Sequence, residues 1–446
     1  MGAKKIDLEN YENQNQLSKS SNGKRAFIFG LGIISGALIA QGATTNLVDK
    51  ALAFKAMLST SDQAILEQNY TIALSHKWSN LPVTMAARNG VRFADLTAPQ
   101  LAAALDLISV ATGKAKNQGF EEFKQIIQAD SVIAVTNSNG YGKGLYYLAF
   151  LNTPSNTDKW MLQFGGHHYA ANLSFSGGNV IGVTPQFRGV EPITFTATGG
   201  LVTTPLDMEK TASVDLLASL SAGEKTTAKL SSAVGDLVVG AGKDGAFPTT
   251  KAGIKIGSLT ALQQEKAMAL VDLYVKDLDS ATAKSVRAQY LSELSETYLA
   301  YSGTGLFATS NDYIRLDGPN VWIEFLSPSG IIFRSQPHYH TIWRDRTRDY
   351  GNDLKGSGIT SVLKPKRTVE FTVASSVSTG SLLLSFHNEI KNGKLTVSNM
   401  AGTRMLTLAG VSGNEKRLDI SALPKGTYQI VIADAMLILH SRFTRL

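Results

Sequence analysis

The sequence predicts an α+β body with an antiparallel sheet, followed by a small C-terminal β-sandwich. Three observations predict it. Apolar residues recur at three- and four-residue spacing over 47–130 and again over 206–304. Between and after these blocks lie β-rich runs that pair as hairpins around turn residues. Beyond about residue 366 helical periodicity gives way to short strand-like runs at regular spacing. With 446 residues the chain has material for two or three domains with large cores. The division expected is 1–43 leader, 44–360 body and 366–446 tail.

The first element is an export leader. Residues 1–23 are polar, Lys24-Arg25 follow, and Ala26 to Ala40 (AFIFGLGIISGALIA) form an apolar run that ends in the small residues AQGATT. This is the order of a signal peptide, and the run is short of the roughly 20 apolar residues that a membrane span needs. The stretch KRAFIF resembles a twin-arginine signal with Lys in place of the first Arg, which leaves the export route open.

The body opens with NLVDKALAFKAML and LTAPQLAAALDLISVATGKAKNQGFEEFKQII, both helical by periodicity, with Asp95, Thr97 and Pro99 as helix-start signals. From Ser131 the pattern reads as a hairpin, SVIAVTNSNGYGKGLYYLAFLN, turning at NSNGYGKG. A second hairpin is expected in WMLQFGGHHYAANLSFSGGNVIGVTPQF, turning at SGGN. ALQQEKAMALVDLYVKDL and AKSVRAQYLSELSETYLAY return to helix, and the strands DYIRLDGPNVWIEFL and GIIFRSQPHYHTIWRD close the body.

In the tail, TVEFTVA, SLLLSFHN, GKLTVSNMAG, TRMLTLAG and TYQIVIADAM are the strands of the expected sandwich. The residues VSNMAGTRML, LDISALPKGTYQIVI and the closing RFTRL resemble the C-terminal sorting domain of the type IX secretion system. The resemblance implies passage through that machinery to the outside of the cell or to the outer-membrane surface. Membrane contact is then expected only through export or anchoring. An Ig-like adhesion module is the other reading of the same strands.

Composition excludes several functions. The chain has no cysteine, so disulfides, thiolate metal sites and cysteine nucleophiles are out. Net charge is +7, without a block of five or six like charges, so the excess reads as a solvated surface and no nucleic-acid partner is expected. There is no G-x-S-x-G elbow and no H-E-x-x-H.

Chemistry concentrates in two histidine pairs, which hold four of the seven histidines: His167-His168 in QFGGHHY, and His338 with His340 in PHYHTIWRD. On a strand, residues two apart face the same way, about 6.5–7 Å apart, so His338 and His340 can bind one ion. Ile342 and Arg344 continue that face, while Tyr339, Thr341, Trp343 and Asp345 take the other. Adjacent His167 and His168 oppose one another on a regular strand; a bulge at Gly165-Gly166 would aim both rings at one site. Acidic candidates are Glu191, Glu324, Asp345 and Asp349, the two aspartates being read as salt-bridged to Arg344, Arg346 or Arg348 ahead of a catalytic role. Hydrogen-bonded structural histidines account for the same pairs without a metal.

The segments WMLQFGGHHYAANLSF, TPQFRGVEP, YIRLDGPNVWIEF and PHYHTIWRDRTRDYG resemble the bacterial and fungal family known as domain of unknown function 3500. The resemblance spans about 50–355 and implies that both histidine pairs and the RD dipeptide belong to one domain; it names no reaction. The expectation is a secreted metal-dependent hydrolase acting on an unidentified small-molecule or polymer substrate. A divalent ion, zinc favoured, is held by His338, His340 and one or both of His167 and His168. Glu324 or Glu191 serves as fourth ligand or general base, and Arg344, beside Asp345, neutralises an oxyanion. A metal-dependent oxidoreductase and a non-catalytic surface-displayed binding protein are the alternatives.

Overall fold

The computed structural model describes residues 36–352 and, apart from 371, 374–376, 379, 401–403 and 434–436, residues 367–446. Most of the expected leader therefore lies outside the described residues. A helix, Gly36–Ala56, spans the place where leader and body were expected to meet. No described helix is long and apolar enough to cross a membrane. The described residues form two compact units, one holding residues 39–352 and the other 367–446.

The first unit is mixed α and β, as predicted. Its strands in chain order are β1 (Glu67–Gln68), β2 (Val91–Arg92), β3 (Tyr147–Leu151), β4 (Trp160–Gly166), β5 (Tyr169–Ser176), β6 (Asn179–Gly182) and β7 (Gln186–Val190). There follow β8 (Phe195–Thr196), β9 (Val202–Thr203), β10 (Ile254–Lys255), β11 (Tyr298–Ser302), β12 (Asp312–Asp317), β13 (Val321–Ser327) and β14 (Tyr339–Asp345). Twelve of them make one sheet in the order β1-β3-β4-β5-β7-β14-β13-β12-β11-β10, with β2 beside β3 and β6 beside β5.

Both faces of this sheet are covered, which is why β4, β7 and β13 are buried at every position instead of alternating. On one face lie helices Ala98–Ala111, Phe120–Thr136, Ala261–Val275 and Ser280–Glu293. The first of them buries Leu101, Ala104, Leu105 and Ile108, the spacing of one helical stripe. On the other face Trp78, Leu237 and Val239, from irregular segments, pack with Met161, Phe187, Trp322 and Ile342.

Three stretches differ from the sequence reading. Residues 131–136 are not a strand: they finish the Phe120–Thr136 helix, in which Phe123, Ile126, Ile127 and Ile133 form one continuous buried stripe. The β-branched Val and Ile of SVIAV suggested a strand, and tertiary burial of that stripe overrides the propensity. Likewise TYLAY, expected as helix, is β11, and 229–253 carries no helix.

The unit is also an internal duplication. GVRFADLTAPQ (90–100) matches GIKIGSLTALQ (253–263), and YYLAFL (146–151) matches TYLAYS (297–302). The structure matches them residue for residue. Val91 pairs with Leu148 as Ile254 pairs with Leu299. Gly90 and Gly253 both have positive φ, and a Cβ on either would strike a carbonyl, that of Leu148 in one half and Leu299 in the other. Capping boxes start both following helices, Thr97 with Gln100 and Thr260 with Gln263. The cross-strand pair Gln163–Asn172 corresponds to Arg315–Glu324. The halves meet where β7 and β14 run antiparallel, with the equivalent residues Gln186 and Trp343 opposite each other.

The second unit is all β, as expected: a curled seven-stranded sheet around Leu382, Leu395, Val397, Ile430 and Ile432. Its two longest strands, Ser381–Asn399 and Arg404–Asp419, pair antiparallel with several register shifts, which let a sheet bend.

Candidate metal centre

The three histidines that converge come from two places in the chain, the β4–β5 turn and the start of β14. His340 is the second residue of β14, and His338 lies just before that strand. Their Nε2 atoms are 3.1 Å apart, so the shared face read from the sequence holds. His168 Nε2 lies 3.2 Å from His340 Nε2. His168, His338 and His340 each offer a nitrogen within 4.8 Å of the others, the one such group among the described residues.

His167 and His168 are not on a strand, and no bulge is involved. They are the two-residue turn between β4 and β5, closed by the pair Gly166–Tyr169. His168 takes φ of 61°, a left-handed conformation that costs a non-glycine residue roughly 1–2 kcal/mol. Backbone bonds hold it there: His168 N–H donates to Asn80 O (3.2 Å), and Gly189 N–H donates to His168 O (2.7 Å). The turn splits the pair. His168 points at the β14 histidines, whereas His167 Nδ1 lies 2.6 Å from Asp130 Oδ1 on the Phe120–Thr136 helix. The two rings stack at 3.7 Å.

Gly189 on β7, opposite His340, makes the convergence possible. A Cβ there would lie 2.9 Å from His340 Cδ2 and 3.0 Å from His168 Cδ2. Phe187 closes the flank, with its ring 5.2 Å from that of His340.

The two spacings at His340 fit a metal ion, and the third pair lies within 4.8 Å. A tetrahedral zinc with Zn–N of about 2.0–2.1 Å sets its ligand nitrogens about 3.3 Å apart. Protons fit the cluster less well. His340 Nε2 faces two ring nitrogens and has one hydrogen or one lone pair to offer, so a proton satisfies one contact, while a cation satisfies three lone pairs. The rings are also held neutral, as ligands must be. Burial pushes His168 well below the usual imidazole range, and the neighbouring histidines add to it. Burial does the same to His340, with His338 and His167 contributing. His338 is lowered by burial too, opposed by the charge of Glu191 and by the backbone of Ser329. His168 and His338 are buried, and His340 is partly open to solvent.

The acidic candidates divide. Glu191 is buried at the end of β7 and Oε1 accepts from Ile332 and Phe333 N–H, both at 2.8 Å, which fixes the segment leading to His338. Glu324 is fully buried and committed elsewhere: it accepts from Val238 N–H (2.6 Å), Val239 N–H (2.9 Å), Tyr313 Oη–H (2.8 Å) and Trp322 Nε1–H (2.7 Å). Those donors leave it no role as a metal ligand or base. Arg344 is likewise fully buried, donating to Val239 O, Gly240 O, Asp244 and Asp349, and is not available to an oxyanion. Asp345 is on the helix-covered face, as its parity predicts, accepting from Tyr290 Oη–H (3.1 Å) and Thr347 N–H (3.0 Å). These groups fasten the irregular segments to the sheet.

Sequence reasoning missed Asp130, Gly189 and Asn80. Asp130 sits within an apolar stripe, next to the residues misread as a strand. Nothing in RGVEP marks Gly189 as a contact for two rings. The family is now shown: the chain belongs to the family described as "Protein of unknown function (DUF3500)", whose match covers residues 40–352 and so both histidine pairs. No curated protein matches the chain.

Proposed function

We propose that this family member is an exported metal-dependent hydrolase whose divalent ion, zinc by its donor set, is held by Nε2 of His168, His338 and His340. The observation that carries the proposal is the meeting of three neutral ring nitrogens, with His340 Nε2 at 3.1 and 3.2 Å from the other two and all three within 4.8 Å, where a proton on His340 Nε2 can be shared linearly with only one neighbour. Three protein ligands leave a fourth position open, the pattern of catalytic rather than structural zinc. When bound, the ion supplies a Lewis acid and an activated water. The chain's own part is to keep the rings neutral by burial, to hold the His338 segment through Glu191, and to give access on the side of the partly exposed His340. An all-nitrogen donor set also suits copper or iron, so an oxygen-using oxidoreductase is the second reading.

Export rests on the KRAFIF leader and on the tail motif LPKGTY in an all-β unit, which together support a cell-surface or extracellular location through the type IX machinery. Deleting 367–446 should leave the protein inside the outer membrane of its host.

The test of the centre is elemental analysis of protein from its native host, beside a His338→Ala/His340→Ala variant. Stoichiometric metal lost in the variant, with hydrolysis of nitrophenyl esters or phosphates lost alongside it, supports the reading. Absence of metal, with a lower melting temperature in the variant, makes the histidines structural and the protein a binding module.

A further inference from the structure

The connection from β13 to β14 is weakly anchored, yet it carries one of the three convergent histidines. Residues 328–338 extend the hairpin beyond its ladder as an arm. His338 N–H donates to Pro328 O (3.0 Å), Ser329 and Pro337 form an antiparallel bridge, and Gly330 N–H donates to Gln336 O (3.0 Å). Past that stem the arm is not sunk into the body. No residue from 331 to 337 is buried, and Ile331 is 61% exposed. Neither Ile332 nor Phe333 joins the hydrophobic clusters of the unit. Among the described residues, the hydrogen bonds that tie the tip to another segment are those from Ile332 and Phe333 N–H to Glu191 Oε1, 2.8 Å each. A segment with few buried contacts and few anchoring bonds opens at low free-energy cost. The other two histidines are placed more firmly. His168 is held by backbone bonds to Asn80 and Gly189, and His340 by the ladders of β14 with β13 and β7. His338 is the first residue of the arm outside those ladders, so bending of the arm moves His338 and leaves His168 and His340 in position.

We infer that the arm 328–338 is a gate coupled to the metal: latched by Glu191 it presents His338 and completes the three-histidine centre, and unlatched it withdraws His338 and leaves a two-histidine site that lets the metal go. Glu191 is then a positioning residue for the centre. The inference rests on the proposed metal centre and deepens it, because it says how the site assembles and by which route it empties. Coupling of this kind is reciprocal: a metal that binds the closed arm more tightly also holds the arm closed.

The test uses the full-length protein and trypsin, for which the exposed Arg334 at the tip of the arm is a cleavage site. The rate of the cut after Arg334 is followed by mass spectrometry, with and without saturating Zn²⁺. Cleavage tracks the population of the open arm when opening is fast. In the unmodified protein zinc should slow this cut at least about tenfold. In His338→Ala, which keeps the latch and loses the ligand on the arm, zinc should change it less than about twofold. In Glu191→Ala the metal-free cut should quicken at least about fivefold. Zinc release into excess chelator should quicken by a similar factor, since both pass through the open arm. Glu191→Gln, whose amide oxygen still accepts from both N–H groups, should move both rates the same way by less. Zinc that binds the unmodified protein yet leaves the cut unchanged, or that protects His338→Ala equally, would overturn the gate and leave the metal centre standing. So would unchanged zinc release in Glu191→Ala. Failure of the unmodified protein to take up zinc is a separate outcome, which overturns the metal centre itself and the inference with it.

Discussion

Gly189→Ala tests whether the ring convergence is built for an ion. The added methyl would lie 2.9 Å from His340 Cδ2, 3.0 Å from His168 Cδ2 and 3.0 Å from Tyr339 O. Carbon atoms pack at about 3.5 Å or more, so each ring must retreat by about half an ångström. In both rings Cδ2 is bonded to Nε2, the ligand atom, and the shift is more than twice the roughly 0.2 Å that a metal bond tolerates. Gly189 is not in the positive-φ region, so the backbone accepts alanine and the strain falls on the rings. Overpacking of this kind costs about 1–3 kcal/mol. Charged to metal binding, that is roughly a five- to 150-fold loss of affinity. The assay is competitive zinc titration with a chromophoric chelator, beside melting of the metal-free protein. Gly223→Ala, in a helix with nothing within 4 Å of the new methyl, is the control and should leave affinity unchanged. Affinity in Gly189→Ala within twofold of the unmodified protein, with the fold intact, would show that the three nitrogens are not a metal cradle.

Other outcomes follow from the same geometry. Glu324→Gln sets an amide N–H₂ against two of the four donors and should destabilise by about 2–4 kcal/mol in urea melts while leaving metal stoichiometry unchanged. Arg344→Lys cannot reproduce the fork to Val239 O, Gly240 O and two aspartates, and should lower the melting temperature with bound metal retained. For the metal-free protein, the folded-state pKa values of His168 and His340 lie below their unfolded values. The unfolded chain therefore binds more protons as pH falls below about 6.5, and the stability contributed by these sites declines from there down to the folded pKa; substituting both histidines should flatten that decline in denaturant melts. Glu209 works in the opposite sense, because burial pushes its pKa up to about 7. Its folded form keeps the proton that the unfolded form has lost, so stability falls as pH rises from about 4.5 to 7. Glu209→Gln should then stabilise at pH 8, by on the order of 2 kcal/mol, and be near neutral at pH 5 in paired urea melts.

What the sequence revealed follows from which patterns are local. The face shared by His338 and His340 was legible because strand alternation is a two-residue rule, and it also placed Asp345 on the opposite side. The helix start at Thr97 was legible because a capping box is written in four residues. The turn at His167-His168 was not. Gly, Asn and Asp are the residues that announce a two-residue hairpin, and a histidine with φ of 61° is held there by Asn80 and Gly189, far away in the chain. Glu324 was legible as a costly buried carboxylate, but its donors Val238 and Val239 come from an irregular segment with no motif. The duplication went unread in the sequence, because beyond GVRFADLTAPQ and GIKIGSLTALQ most of the matches are of register and cap rather than of residue identity.

The duplication is the frame in which the centre makes sense. Equivalent positions in the halves do equivalent backbone work: Gly189 N–H binds His168 O as Arg346 N–H binds Asn320 O, at 2.7 and 2.9 Å. The side chains have parted. Where the first half has a glycine that makes room for two rings, the second has Arg346, lying over Phe247 and Trp322 and paired with Asp317 at 2.7 Å. Where the first half turns through two histidines, the second turns through Pro319 and Asn320. A scaffold that needed histidines for folding would be expected to need them in both halves, because both turns make the same backbone bond. The half built from Pro319, Asn320 and Arg346 closes its turn without them. The backbone bond of the turn therefore does not call for His167, His168 or Gly189, and the convergence of His168 with His338 and His340 is free to serve the ligand-binding role proposed for it.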